Sequence, residues 1–151
     1  MASGKLTLTL DPASLAETQR TLSVLSEIEQ DAVVKKGLSD AGGVIRRETS
    51  KNIRSRVKTH TGNLIKSLSK RSRKIDKQPR VYVGFKRPKG AVSHLLDKGT
   101  RERFTKKGYY RGRVRPMRFQ TDSVERKGEA ALNTLAESIK ISVQRITNRR
   151  N

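Results

Sequence analysis

The chain has 151 residues, with 35 lysines and arginines against 14 acids, a net charge of +21 and no cysteine. Lack of cysteine excludes a disulfide framework, a thiol nucleophile and a zinc–thiolate site, and the opening MASGKLTLTL interleaves threonine without the apolar run of a secretory signal or membrane span. An apolar content of 32%, six aromatics and no tryptophan predict a modest core and argue against base stacking as the main mode of contact, while the charge points to a polyanionic partner.

Leu6, Leu8 and Leu10 alternate with threonines, the period-two pattern of a half-buried strand. Asp11 is a good N-cap and Pro12 suits the first helical position, so a helix begins there with Leu15, Leu22, Leu25 and Ile28 on one stripe. Asp31 can cap a second helix running towards Arg56, with Val34, Leu38, Ala41, Ile45 and Ile53 on one face and Lys35, Arg46, Arg47 and Arg54 on the other. Gly37, Gly42 and Gly43 each cost about 0.8–1 kcal/mol in a helix interior. They either break the helix or let another element approach it closely.

Thr59 to Gly62 interrupts the helix, and Thr61 can cap a single turn holding Leu64, Ile65 and Leu68. Residues 69–77 are nearly all basic or polar, a strand able to pair only at an exposed sheet surface. Arg80 to Lys86 is the best strand, with Val81, Val83 and Phe85 on one face, Tyr82 on the other and Pro79 and Pro88 bracketing it. Gly84 inside it marks a bulge or a close backbone approach.

A short apolar segment, Val92, Leu95 and Leu96, ends in Asp97-Lys98-Gly99-Thr100, a tight turn into a segment too basic and glycine-rich to bury. Arg101 to Arg118 holds eight Lys/Arg and one acid, net +7; the other basic block, residues 51–80, carries +10. The loop 101–115 is expected to be flexible, since no local acid offsets its repulsion. Pro116 excludes helix at Arg115, and Thr121 or Asp122 can cap the helix that follows. In that helix Val124, Ala131, Leu135, Ile139, Ser142 or Val143, and Ile146 form the apolar stripe, Glu125, Arg126, Glu129, Glu137, Lys140 and Arg145 face out, and the tail 148–151 frays.

The chemistry-bearing residues are sparse. His60 and His94 are the only histidines and neither has a second ligand at metal-binding spacing; His94, in the apolar turn, reads as a packing histidine. Asp97, Glu102 and Asp122 are too few and too embedded in basic sequence to hold the cations of a nuclease. No catalytic residue, metal site or cofactor is expected. Gly62, Gly99, Thr100 and Pro116 read as structural turns.

Taken together, the elements predict a single α+β domain over 1–151: N-terminal helices and a long C-terminal helix on a small, mainly antiparallel sheet of the first strand, the 69–77 region and the 80–86 strand, with a long basic loop.

Three segments in this order also resemble a known family. Thr61-Gly62-Asn63-Leu64-Ile65-Lys66-Ser67, then Val81-Tyr82-Val83-Gly84, then Leu95-Leu96-Asp97-Lys98-Gly99-Thr100 with a basic loop, a Pro116-x-x-Phe119 return and a long helix, are similar to the tail-component family of lambdoid siphophages, typified by gene product ten of the Hong Kong phage. The departures are Asp97 where glutamate is commoner and His94-Leu95 where an aromatic is frequent. The resemblance implies a structural virion protein of the neck, a tail-completion or head-to-tail joining protein. It would form a homo-oligomeric ring, a hexamer matching the tail tube, at the head-proximal end of the tail. Its partners would be tail-tube or tail-terminator and head-closure proteins, with assembly in the host cytoplasm and no membrane.

In such a ring Lys106, Lys107, Arg111, Arg113 and Arg115 would line the lumen and meet the phosphates of viral double-stranded DNA. Asp97, Arg113, Arg115 and Arg118 would dock the neighbouring subunit or ring. The charge alone supports an alternative, a basic nucleic-acid-binding protein of ribosome-like or DNA-binding type.

Overall fold

The structure is a computed structural model that describes residues 12–57 and 62–150. In chain order these form helices α1 (Pro12–Leu22) and α2 (Glu27–Arg56), the short helix α3 (Asn63–Ser67), strands β1 (Leu68–Ile75) and β2 (Gln78–Phe85), the short helix α4 (Ser93–Lys98) and helix α5 (Thr121–Arg150). The architecture is α+β: α2 lies along α5 and over an antiparallel β1–β2 pair. The strand anticipated at Leu6, Leu8 and Leu10 lies outside the described residues, as do Asp11, His60 and Thr61.

The start of α2 departs from the sequence reading. Its N-cap is Ser26, and the Glu29 carboxylate accepts the Ser26 backbone N–H at 3.0 Å and the Ser26 hydroxyl at 2.7 Å. This satisfies a free donor and places negative charge at the positive end of the helix dipole. Asp31, expected as the cap, stands a turn inside and pairs with Lys74 of β1. The first apolar stripe is cut short accordingly. α1 stops at Leu22 and Leu25 turns inward from the connection, while Ile28, placed on that stripe, is 84% exposed.

α2 and α5 have 30 residues each, about 45 Å of helix at 1.5 Å per residue. They run antiparallel: Gly37 faces Leu135 and Ile139, Asn52 bonds to Ser123, and Arg56 to Asp122. The helix is continuous through Gly42-Gly43, and close approach, not a break, accounts for Gly37 and Gly42, whereas a Cβ on Gly43 would meet only Lys70 Nζ at 4.0 Å. A Cβ on Gly37 would lie 2.9 Å from Leu135 Cδ1, and one on Gly42 2.8 Å from Val81 Cγ1 of the sheet. The buried face of α2 is Val33, Gly37, Ile45, Thr49, Asn52 and Ile53, with Val34, Leu38 and Ala41 half-buried at its margin.

The core has two clusters at opposite ends of this helix pair. Leu25 and Val33 meet Ile139 and Val143 at one end; Ile53, Val57, Leu64, Leu68 and Phe119 meet at the other. On α5, Ala131, Ile139, Ser142 and Val143 are buried, Leu135 and Ile146 are half-buried, and Glu125, Arg126, Glu129, Glu137, Lys140 and Arg145 are exposed, the stripe read from the sequence. The helix continues through Arg150, so Asn148 and Arg149 are helical.

The sheet is a hairpin whose turn residues, Asp76 and Lys77, have φ of 51° and 62°, the positive values a two-residue turn needs to match the strand twist. β2 therefore starts at Gln78 and includes Pro79, opposite Lys74. In such a hairpin the flanking pair, Ile75 and Gln78, is the hydrogen-bonded one, so the next pair leaves the missing N–H of Pro79 pointing away from β1. Gly84 pairs with Ser69 in unbroken register, and a Cβ there would meet nothing within 4 Å, so it marks neither a bulge nor a close approach. Val81, Val83 and Phe85 are half-buried and Tyr82 is exposed. His94, expected to pack, is exposed on α4.

Candidate functional site

The basic segment between α4 and α5 is a two-legged ribbon. Thr100 N donates to Val114 O at 2.9 Å, Val114 N to Thr100 Oγ1 at 2.9 Å, and Arg103 N to Gly112 O at 3.1 Å. Further out Arg111 N donates to Arg103 O at 2.6 Å and Thr105 N to Tyr109 O at 2.8 Å. Arg103 thus faces both Arg111 and Gly112, two residues opposite one as at a β-bulge, and Gly112 has φ of 76°. Lys106, Lys107 and Gly108 make the tip, closed by Gly108 N donating to Thr105 O at 3.0 Å.

The base of the ribbon is locked to the core. Asp97, only 6% exposed, accepts the Gln120 N–H at 2.7 Å on one carboxylate oxygen and the Thr121 hydroxyl at 2.8 Å on the other. It thereby caps α5 from α4, the task the sequence reading gave to Thr121 or Asp122. Met117 N and Arg118 N donate to the carbonyls of Leu96 and Asp97, each at 2.9 Å. Gly99 has φ of 74°, and a Cβ there would lie 2.7 Å from Val114 O and 2.9 Å from Pro116 N. Only glycine fits where the outgoing and returning legs cross. Two residues past Met117, Phe119 is fully buried and meets Phe85 edge to face at 5.8 Å between ring centroids.

Asp97 and Arg118 are both engaged within their own chain. Asp97 is enclosed by its own chain. Arg118 donates to Asp122 at 2.8 Å and to both oxygens of Glu125 at 2.9 Å, while Arg56 donates to the other Asp122 oxygen at 2.7 Å and to the carbonyls of Met117 and Arg118. These bonds from Arg56 and Arg118 hold the Asp122 carboxyl below its ordinary pKa. Asp40, midway along α2 and bonded to Lys36 and Ser138, has its carboxyl lowered by those bonds.

Lys106, Lys107, Arg111, Arg113 and Arg115 are brought onto this one ribbon, all exposed, and none takes part in an ion pair among the described residues. Gly62 sits at the start of α3 with φ of 72°, and Thr100 and Pro116 stand at the ribbon's base. The sequence reading missed the ribbon's aromatics. Phe104 and Tyr110 face each other across the legs at 5.5 Å, 59% and 58% exposed, beside Tyr109 at 70%. Three of the six aromatics in the chain thus stand in solvent among cations; their alternation with Lys/Arg was the available signal.

A second basic feature was also missed. α2, α3 and the start of β1 enclose an open groove of about 640 Å³, lined by Arg46, Arg47, Lys51 and Arg54 over Ile65 and Leu68. Among the described residues no group of three or more histidines, aspartates or glutamates could hold a metal ion, and no helix is long and apolar enough to cross a membrane. In comparisons with known proteins, no family model, no curated protein and no solved structure matches this chain.

Proposed function

We propose that this chain is a structural protein of the phage neck, a tail-completion or head-to-tail joining protein acting by binding and geometry as a homo-oligomeric ring. The observation that supports the reading is mechanical. The segments that carry the family resemblance meet at one end of the body: Leu64 of the Thr-Gly segment packs with Phe119, Val83 of the strand accepts from Gln120, and Asp97 holds Gln120 and Thr121. The ribbon leaves from that junction, so a load on it passes into α5 and α2. That design suits a part that joins neighbours and has no turnover.

The neighbours would be tail-tube or tail-terminator and head-closure proteins, and Lys106, Lys107 and Arg111 near the ribbon tip would face DNA phosphates, with Arg113 and Arg115 nearer the docked surface. Light scattering on the purified chain tests the ring, and joining of purified heads to tails tests the role. A monomer inactive in joining overturns the reading. Exposure of Phe104, Tyr109 and Tyr110 among cations favours the second reading, a nucleic-acid-binding protein without a ring. A stable monomer that protects structured RNA would establish it.

A further inference from the structure

We infer that the groove beside α2 is a second, separate site, for the phosphodiester backbone of a nucleic acid. Arg46, Arg47, Lys51 and Arg54 stand exposed along one wall, and none enters an ion pair among the described residues. The carboxylates of the described ion pairs, Asp31, Asp40, Asp76, Asp122 and Glu125, are all engaged elsewhere, and no acid lines the groove. Four like charges within about 12 Å of helix repel one another. The helix that carries them is held rigid on its far face by α5 and the sheet, so they cannot relax apart as they would on a loop.

The ligand follows from the row. From Arg47 to Lys51 to Arg54 the charges recur at about 4.5–6 Å along a helix, which suits a polymer with regularly repeated single charges. A protein surface intersperses acids with bases and matches such a row poorly. Three of the four cations are arginines, whose planar fork meets phosphate oxygens in pairs, and the Ser50 hydroxyl lies in the same wall. The floor is aliphatic, Ile65 and Leu68, with no aromatic to stack on a base. The site therefore takes backbone and reads no sequence. The reading needs neither the ribbon nor the ring.

The test is a salt titration of binding on the full chain, with fluorescent 20-base-pair duplex and the matching single strand as probes. Three proteins are compared: wild type, the variant Arg46→Gln/Arg47→Gln/Lys51→Gln/Arg54→Gln, and a control with the same charge change on the outer face of α5, Arg126→Gln/Lys127→Gln/Lys140→Gln/Arg145→Gln. If four phosphates are contacted, the groove variant flattens the slope of log K against log salt by about 3.6 units on duplex or about 2.8 on single strand. Between 50 and 200 mM salt the wild type then loses duplex affinity about 150-fold more than the variant. The larger affinity of the two probes names the physiological form.

Equal flattening by the control would mean that net charge alone acts, and no flattening would mean that the groove is unused; either overturns the inference. So would a loss of poly-glutamate binding as large as the loss of DNA binding, which reassigns the groove to an acidic protein. The substituted side chains are exposed, so the urea midpoint should hold. Should the fourfold variant fail to fold, Arg47→Gln/Arg54→Gln alone should flatten the duplex slope by about 1.8 units. Light scattering on the same proteins reports the ring separately, so loss of one reading leaves the other standing.

Discussion

Asp97 at the end of α4 accepts the backbone N–H of Gln120 at 2.7 Å, closing the first turn of α5 from 23 residues away. The whole basic ribbon is looped out between these two partners, so its base is as well anchored as the core. Replacing Asp97 with alanine removes a cap and leaves the Thr121 hydroxyl without its acceptor. A loss of about 1–3 kcal/mol is expected, read as a lower urea midpoint; an unchanged midpoint would show that water serves as well as the carboxylate.

Stability should depend on pH through Asp122. Its folded pKa lies below its unfolded value because Arg56 and Arg118 bond its charged form, so its contribution is fully present above the unfolded value, near 4, and is lost as pH falls through the folded one. Asp122→Asn should therefore lower the urea midpoint at pH 7, and the gap to wild type should close below about pH 4. A gap that persists undiminished at pH 2 would contradict the assignment.

The far end of the helix pair tests the second cluster. Ile139 is 3% exposed and packs with Val33, Leu25 and Val143. Ile139→Ala should cost about 2–5 kcal/mol, and half-buried Leu135→Ala somewhat less. Glu137→Ala, at an exposed position between them, should stay within about 0.5 kcal/mol. Denaturant melts of the three variants check the order.

Limited trypsin digestion should cut first at Lys106 or Lys107, the exposed ribbon tip, and spare α5 despite its many basic residues. Phe104→Ala removes a ring pair of about 0.5–1.5 kcal/mol that lies outside both core clusters. It should speed that cut while leaving the global urea midpoint in place. Mass spectrometry of the early fragments decides; first cleavage between 124 and 146 would mean that the helix, and not the ribbon, is the weak element.

What the amino-acid sequence determined by itself was whatever depends on local period and local chemistry. The α5 stripe, the Val81-Val83-Phe85 face, the end of α2 at Arg56 and the exclusion of helix at Arg115 all rest on residues three or four apart, two apart, or adjacent, and all are found in place. Which N-terminal cap wins, Ser26 or Asp31, turned on the carboxylate of Glu29 and on Lys74, 43 residues away from Asp31. Whether Gly42 breaks a helix or receives a sheet depends on Val81 lying above it. Asp97 reads as a free acid in basic sequence until tertiary packing brings the first turn of α5 to it. Nothing local marks the polar Asn52 and Ser123 for the core; α5 lying against α2 makes them a buried hydrogen-bonded pair. Apart from the Ser26–Glu29 capping box, which is local, the deciding partner is remote in sequence, and only the fold brings it within bonding distance.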